Sequence, residues 1–195
     1  MQKSTNKLTK HELHFAETKA YPKMKQAISE KIGNQFAQLG NQLIEKVELG
    51  NFSTPNEFKI TKGENCALMP YLVLDYPKIA GTDFDIVYRT LFWWGHYFSL
   101  NIIIKQSLLQ TNWINEIATI KKLRILVSDN IWQNDMSKIP YYPVSKIIDN
   151  TERKAQLETL EHIRVSTVIK LRHQSSLNDT ALDFYNGLTK KLNLI

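Results

Sequence analysis

Residues 85–104 are apolar on both faces of any extended element they can form, and this restricts the fold more than any other feature of the chain. Within 88–98, seven of eleven side chains are aromatic or imidazole: Tyr88, Phe92, Trp93, Trp94, His96, Tyr97 and Phe98. One face of the first half carries Ile86, Tyr88, Phe92 and Trp94, and the other Val87, Leu91 and Trp93. A strand of that kind is central and covered on both sides, or one of its faces meets another subunit. β-branched and aromatic residues favour strands over 85–94 and 97–104. The two form a hairpin around Gly95-His96, and glycine first in a two-residue loop suits a type II′ turn. A competing reading is one buried helix over 84–104 interrupted at Gly95, because periodicity alone does not separate short apolar runs.

The flanking segments decide what packs on those strands. Thr9-Lys10-His11-Glu12 fits a capping box and predicts a helix over 10–19. Pro22 suits the first turn of a second helix. Met24, Ile28, Ile32, Phe36, Leu39, Leu43 and Val47 form its single apolar stripe, and Gly50-Asn51 ends it before a loop over 53–56. The period then drops to two. Residues 58–61 and 71–76 read as strands, with turns at 63–65 and 78–83. Further along, 108–122 reads as a helix, 123–127 as a strand and 129–143 as an irregular loop. A helix over 151–162 and a strand over 165–171 follow. A last helix, capped by Asn178-Asp179, carries Ala181, Leu182, Tyr185, Leu188 and Leu192. Strands in the middle and helices at the ends predict an α+β fold, mainly antiparallel, with helices from both terminal segments on the sheet.

A chain of 195 residues fits one domain. Its most apolar run, 100–104, is broken by Asn101, far short of the roughly 20 residues a membrane helix needs. Residues 1–10 are polar and basic, unlike a secretory signal, and Cys66 is the sole cysteine, so no internal disulfide can form. These features predict a cytoplasmic protein without a membrane role. Net charge is +6, and residues 1–32 hold seven lysines against three glutamates. Residues 1–20 are expected to be a loosely attached basic arm. A lysine face of this kind is solvated or serves a polyanion, and the absence of arginine argues against nucleic-acid recognition.

Motifs for known chemistry are scarce. His11-Glu12-Leu13-His14 spaces its histidines at i and i+3, not the i and i+4 of a zinc helix, and no third ligand is evident. Phosphate-loop, dinucleotide and nucleophile-elbow motifs are missing. No catalytic residue, metal or cofactor is therefore predicted. Arg89 stands out because a guanidinium among apolar neighbours must be paired. Asp75, on the preceding strand, is the first-choice partner, ahead of Asp83 and Asp85. The functional alternative is an Arg89 held at a cavity wall, with Tyr88, Trp94, His96 and Asp75 completing a site for a small anion.

The blocks 70–77, Pro-Tyr-Leu-Val-Leu-Asp-Tyr-Pro, and 89–95, Arg-Thr-Leu-Phe-Trp-Trp-Gly, resemble an "LDYP … R-T-x-F-W-W-G" pattern in a group of uncharacterised bacterial proteins. The resemblance covers residues 62–104. It implies a bacterial origin and carries no activity or catalytic residue with it.

The leading expectation is a non-enzymatic binding or interaction protein, with a homodimer through the aromatic hairpin if one chain cannot cover both its faces. An enzyme or sensor for a small anionic ligand near Arg89 is the alternative, and nucleic-acid binding through the lysine-rich N-terminus the second alternative.

Overall fold

The computed structural model describes residues 7–50, 52, 55–81, 83–138 and 140–194. Lys3 of the basic arm, Asn51 of the predicted helix stop and Ser53 and Thr54 of the loop lie outside them. The Thr9 hydroxyl accepts the Glu12 N–H at 3.2 Å while the Glu12 carboxylate accepts the Thr9 N–H at 2.6 Å. This capping box opens α1 (Lys10–Glu17), none of whose residues is buried. Glu12 thus serves the helix end, and its proximity to the Thr9 N–H lowers its pKa.

Helix α2 (Ala20–Lys46) buries Ile32, Phe36, Leu39 and Leu43. Met24, read as the first residue of that stripe, is 63% exposed. The stripe reaches the core at the half-buried Ile28 and is fully buried from Ile32 onward, while the first turn of α2 stands clear of it. The helix stops before Val47, whose N–H returns to the Leu43 carbonyl, ahead of the predicted stop at Gly50.

Four strands then meander: β1 (Lys59–Cys66), β2 (Met69–Tyr76), β3 (Ile86–Trp93) and β4 (Tyr97–Lys105). The chain continues through α3 (Trp113–Ala118), β5 (Arg124–Leu126), β6 (Tyr141–Pro143), α4 (Thr151–Thr159), β7 (His162–Lys170) and α5 (Leu177–Lys191). The sheet has seven antiparallel strands in the order β1-β2-β3-β4-β7-β5-β6, because β7 returns to pair along the whole of β4. This is the expected α+β architecture, and residues 84–104 are two strands and not one helix. Both edges are blunted: β1 displays Lys59, Lys62 and Glu64, and β6 is three residues long with Pro143 at its end.

One face of the sheet meets the helices. Leu72, Leu74 and Tyr76 of β2, Ile86, Tyr88 and Phe92 of β3, and Phe98, Leu100, Ile102 and Ile104 of β4 join the stripes of α2 and α5 in one core. The opposite face holds a smaller cluster, Val73, Leu91 and Trp93, with Cys66, Met69, Tyr71 and Tyr97 packed against it. Beside it the strap formed by residues 127–138 crosses the face, with Met136, Leu126 and Tyr141 buried beneath. The aromatic hairpin is therefore buried on both faces within a single chain.

Several local expectations shift. Residues 63–65 continue β1 and do not turn, with Gly63 opposite Tyr71. The turn is made by Ala67 and Leu68, both at positive φ. The β3–β4 loop has three residues, Trp94 to His96, closed by the His96 N–H on the Trp93 carbonyl. Gly95, at φ 71°, takes the third place of that turn, where a type II geometry requires a left-handed residue. The helix expected over 108–122 shrinks to α3 behind a 3₁₀ turn at Gln106–Leu108. Helix α5 starts at Leu177 after a 3₁₀ stretch and has no side-chain cap, so Asn178 and Asp179 lie inside its first turn.

Candidate functional site

The five residues singled out in the sequence do not meet. Arg89 and Asp75 are cross-strand partners, and their side chains form a two-pronged ion pair: Nε to Oδ1 at 2.6 Å and Nη2 to Oδ2 at 2.8 Å. Trp132 of the strap lies over the guanidinium, 4.3 Å from its carbon to the ring centroid. Neither residue lines any of the four clefts traced among the described residues. Tyr88 points into the helix-side core, where its hydroxyl meets that of Thr189 at 2.9 Å and burial pushes its pKa up to about 12. His96 sits exposed at the hairpin tip and stacks on Trp93 at 3.6 Å. Trp94 alone among the five lines a cleft.

Around the Arg89–Asp75 pair lies a second array that the sequence reading missed. Arg164 of β7 is fully buried without a direct carboxylate partner. Its Nη1 donates to the carbonyls of Ile131 (2.7 Å) and Gln133 (2.9 Å). Its Nε and Nη2 donate to Asn101 Oδ1, and Nη2 also to Asn134 Oδ1. Ser166 donates to the same Asn101 oxygen, and Asn101 Nδ2 donates to the Arg89 carbonyl. The Tyr97 hydroxyl donates to the Asn134 carbonyl and accepts the Met136 N–H, both at 2.9 Å. Every donor of Arg164 is thus used, three bonds going to the strap and two to Asn101 of β4, so that the side chain ties the strap to the sheet. The arrangement is a fastening, because nothing in it is left open to a ligand. Its signal in the sequence was the alternation of His162, Arg164 and Ser166 against Ile163 and Val165, together with Asn101 in an apolar run.

The open site is on the helix side. A groove of about 680 Å³ runs between the first half of α2 and strands β1 and β2. Pro22, Ile60, Pro70, Tyr71, Leu72 and Trp94 supply apolar wall. Gly33 leaves one side low, since a β-carbon there would find only Leu72 Cδ2, at 4.0 Å. Lys25, Gln26, Ser29, Glu30, Lys62 and Glu64 add polar groups, and Lys25 pairs with Glu64. The Trp94 indole Nε1 is buried and has no hydrogen-bond partner, unlike Trp93 Nε1, which donates to the Cys66 carbonyl at 2.9 Å. Leaving a buried donor unpaired costs about 1–3 kcal/mol. The Trp94 ring lines the groove, which thus combines an apolar wall with a few polar groups from α2 and β1, as small-molecule sites do.

No group of three or more His, Cys, Asp or Glu side chains that could hold a metal exists among the described residues, and no described helix is long and apolar enough to cross a membrane. Comparison with known proteins gives no match to this chain among family models, curated proteins or solved structures.

Proposed function

We propose that the protein is a non-enzymatic binding protein, and that the groove between α2 and the β1–β2 hairpin is its site. The observation that carries this reading is the unfilled groove of about 680 Å³ itself, walled by Leu72 and Trp94 and edged by Lys62. The ligand class follows from the lining: a flat apolar body and an anionic group that Lys62 takes up. The groove contains no nucleophile–base pair and no pair of facing carboxylates free of a lysine, so binding suits it better than turnover. Arg89, committed to Asp75 beneath Trp132, is better read as a structural residue than as an anion anchor.

Anilinonaphthalene sulfonate, an aromatic anion with acceptor oxygens, is a suitable probe. Titrated into dilute protein, it is expected to saturate at one equivalent and to quench tryptophan emission. Gly33→Leu fills the groove from a helix position that gains propensity, so it should remove binding while the melting temperature holds or rises. A Gly33→Leu variant that binds the probe as well as wild type would sink the proposal.

A further inference from the structure

We infer that the groove is also the docking place for residues 7–24 of a second copy of this chain, so that two chains exchange their N-terminal arms. This rests on the reading of the groove as a binding site. The first ground is the arm itself. Leu8, Leu13, Phe15, Tyr21 and Met24 are all large, apolar and 46–63% exposed. Such a concentration of exposed apolar side chains marks an interaction surface. Helix α1 buries nothing, and its order rests on local bonds: the Thr9–Glu12 box, the Thr18 N–H on the Phe15 carbonyl, and the Phe15–Tyr21 ring contact at 4.9 Å.

The second ground is position. The arm runs straight into Pro22 and Lys25, which line the groove, yet no residue from 7 to 21 lines it within the same chain. A two-fold axis beside Pro22 brings each arm to the other copy's groove. That contact is self-complementary and closes at two chains. The third ground is chemistry. Phe15, Tyr21 and Met24 offer apolar bulk for the unfilled volume. Lys19 and Lys23 of the arm match Glu30 and Glu64 at the groove, where Glu64 already takes Lys25. A free ligand then competes with the arm, and binding is coupled to dissociation of the pair.

Sedimentation velocity of the full chain, from low to high micromolar, tests this directly. Wild type should sediment as a concentration-dependent dimer. The combined variant Phe15→Ser, Tyr21→Ser, Met24→Ser alters only exposed side chains and removes the Phe15–Tyr21 contact, so its circular dichroism should lose no more than the short α1 and its melting temperature should hold while it sediments as a monomer. The arm variant should bind anilinonaphthalene sulfonate more tightly than wild type, because its groove is uncovered. A wild type that stays monomeric but binds the probe overturns the exchange and leaves the binding site standing. A dimer that survives in the arm variant also overturns it. A probe that binds neither protein overturns both readings.

Discussion

Arg89 and Trp94 lie five residues apart, and the sheet assigns them opposite tasks. Residues 88 to 94 alternate between the two faces, so one side chain meets the strap and the other meets the groove. Arg89 has its partner in Asp75, and both are largely screened from water. Removing one member of such a pair strands the other charge, whereas replacing both with apolar residues need not destabilise. Arg89→Met should therefore cost about 3 kcal/mol or more, and Arg89→Met with Asp75→Leu should cost less than either single change. Chemical denaturation of the four proteins closes the cycle, and additive losses would refute the coupling. The pairing itself was readable in the sequence, because an arginine on a doubly apolar strand demands an acid on its neighbour. Arg164 went unread although it alternates with apolar neighbours, because its partners are neutral, two strap carbonyls and the Asn101 and Asn134 amides, and no acid on a neighbouring strand announces them.

Helix α2 shows how one element carries two surfaces. Its buried stripe from Ile32 to Leu43 holds the sheet, and its earlier turns wall the groove. Two glycines mark the difference. A β-carbon at Gly40 would lie 2.6 Å from the Phe58 ring, inside a packed contact, while one at Gly33 meets nothing closer than 4.0 Å. Gly33→Ala should stabilise the protein by about 0.5–1 kcal/mol through helix propensity. Gly40→Ala should destabilise it by about 1–3 kcal/mol through overpacking. Melting both variants against wild type checks the contrast, and equal shifts would mean that the groove is not open at Gly33. Periodicity located this helix, the hairpin and the antiparallel sheet from the sequence alone. It misplaced Met24, because a helical stripe continues beyond the surface that covers it. It also placed a turn at 63–65, since glycine and asparagine signal turns whether or not a cross-strand neighbour such as Tyr71 holds the glycine in a strand.

At the scale of the whole molecule, the sheet is fastened on both sides by tyrosines whose hydroxyls are withdrawn from water. Burial pushes Tyr88, on the helix side, and Tyr97, under the strap, up to about 12. The unfolded chain releases these protons near the ordinary tyrosine value of about 10. Stability from these groups is thus complete below that value and is lost as pH rises toward their folded values. Between them the unfolding free energy should fall by up to about 1.4 kcal/mol per pH unit for each group. Urea melts across that alkaline range measure it, and a flat profile would contradict the burial of these side chains. The groove was the least legible part of the molecule. Its wall gathers residues from α2, β1, β2 and the hairpin tip, and only Trp94 among them had drawn notice as a candidate.

The central claim is that this groove, with Trp94 in its wall, is the binding site. The chain has four tryptophans, so tryptophan-labelled protein gives four indole N–H signals in a nitrogen–proton correlation spectrum. Trp94→Phe identifies one of them. On titration with anilinonaphthalene sulfonate, the Trp94 signal should shift as the probe packs against its ring, while that of Trp93, on the opposite face and bonded to Cys66, stays in place. A saturating titration that leaves the Trp94 signal where it began would contradict the account.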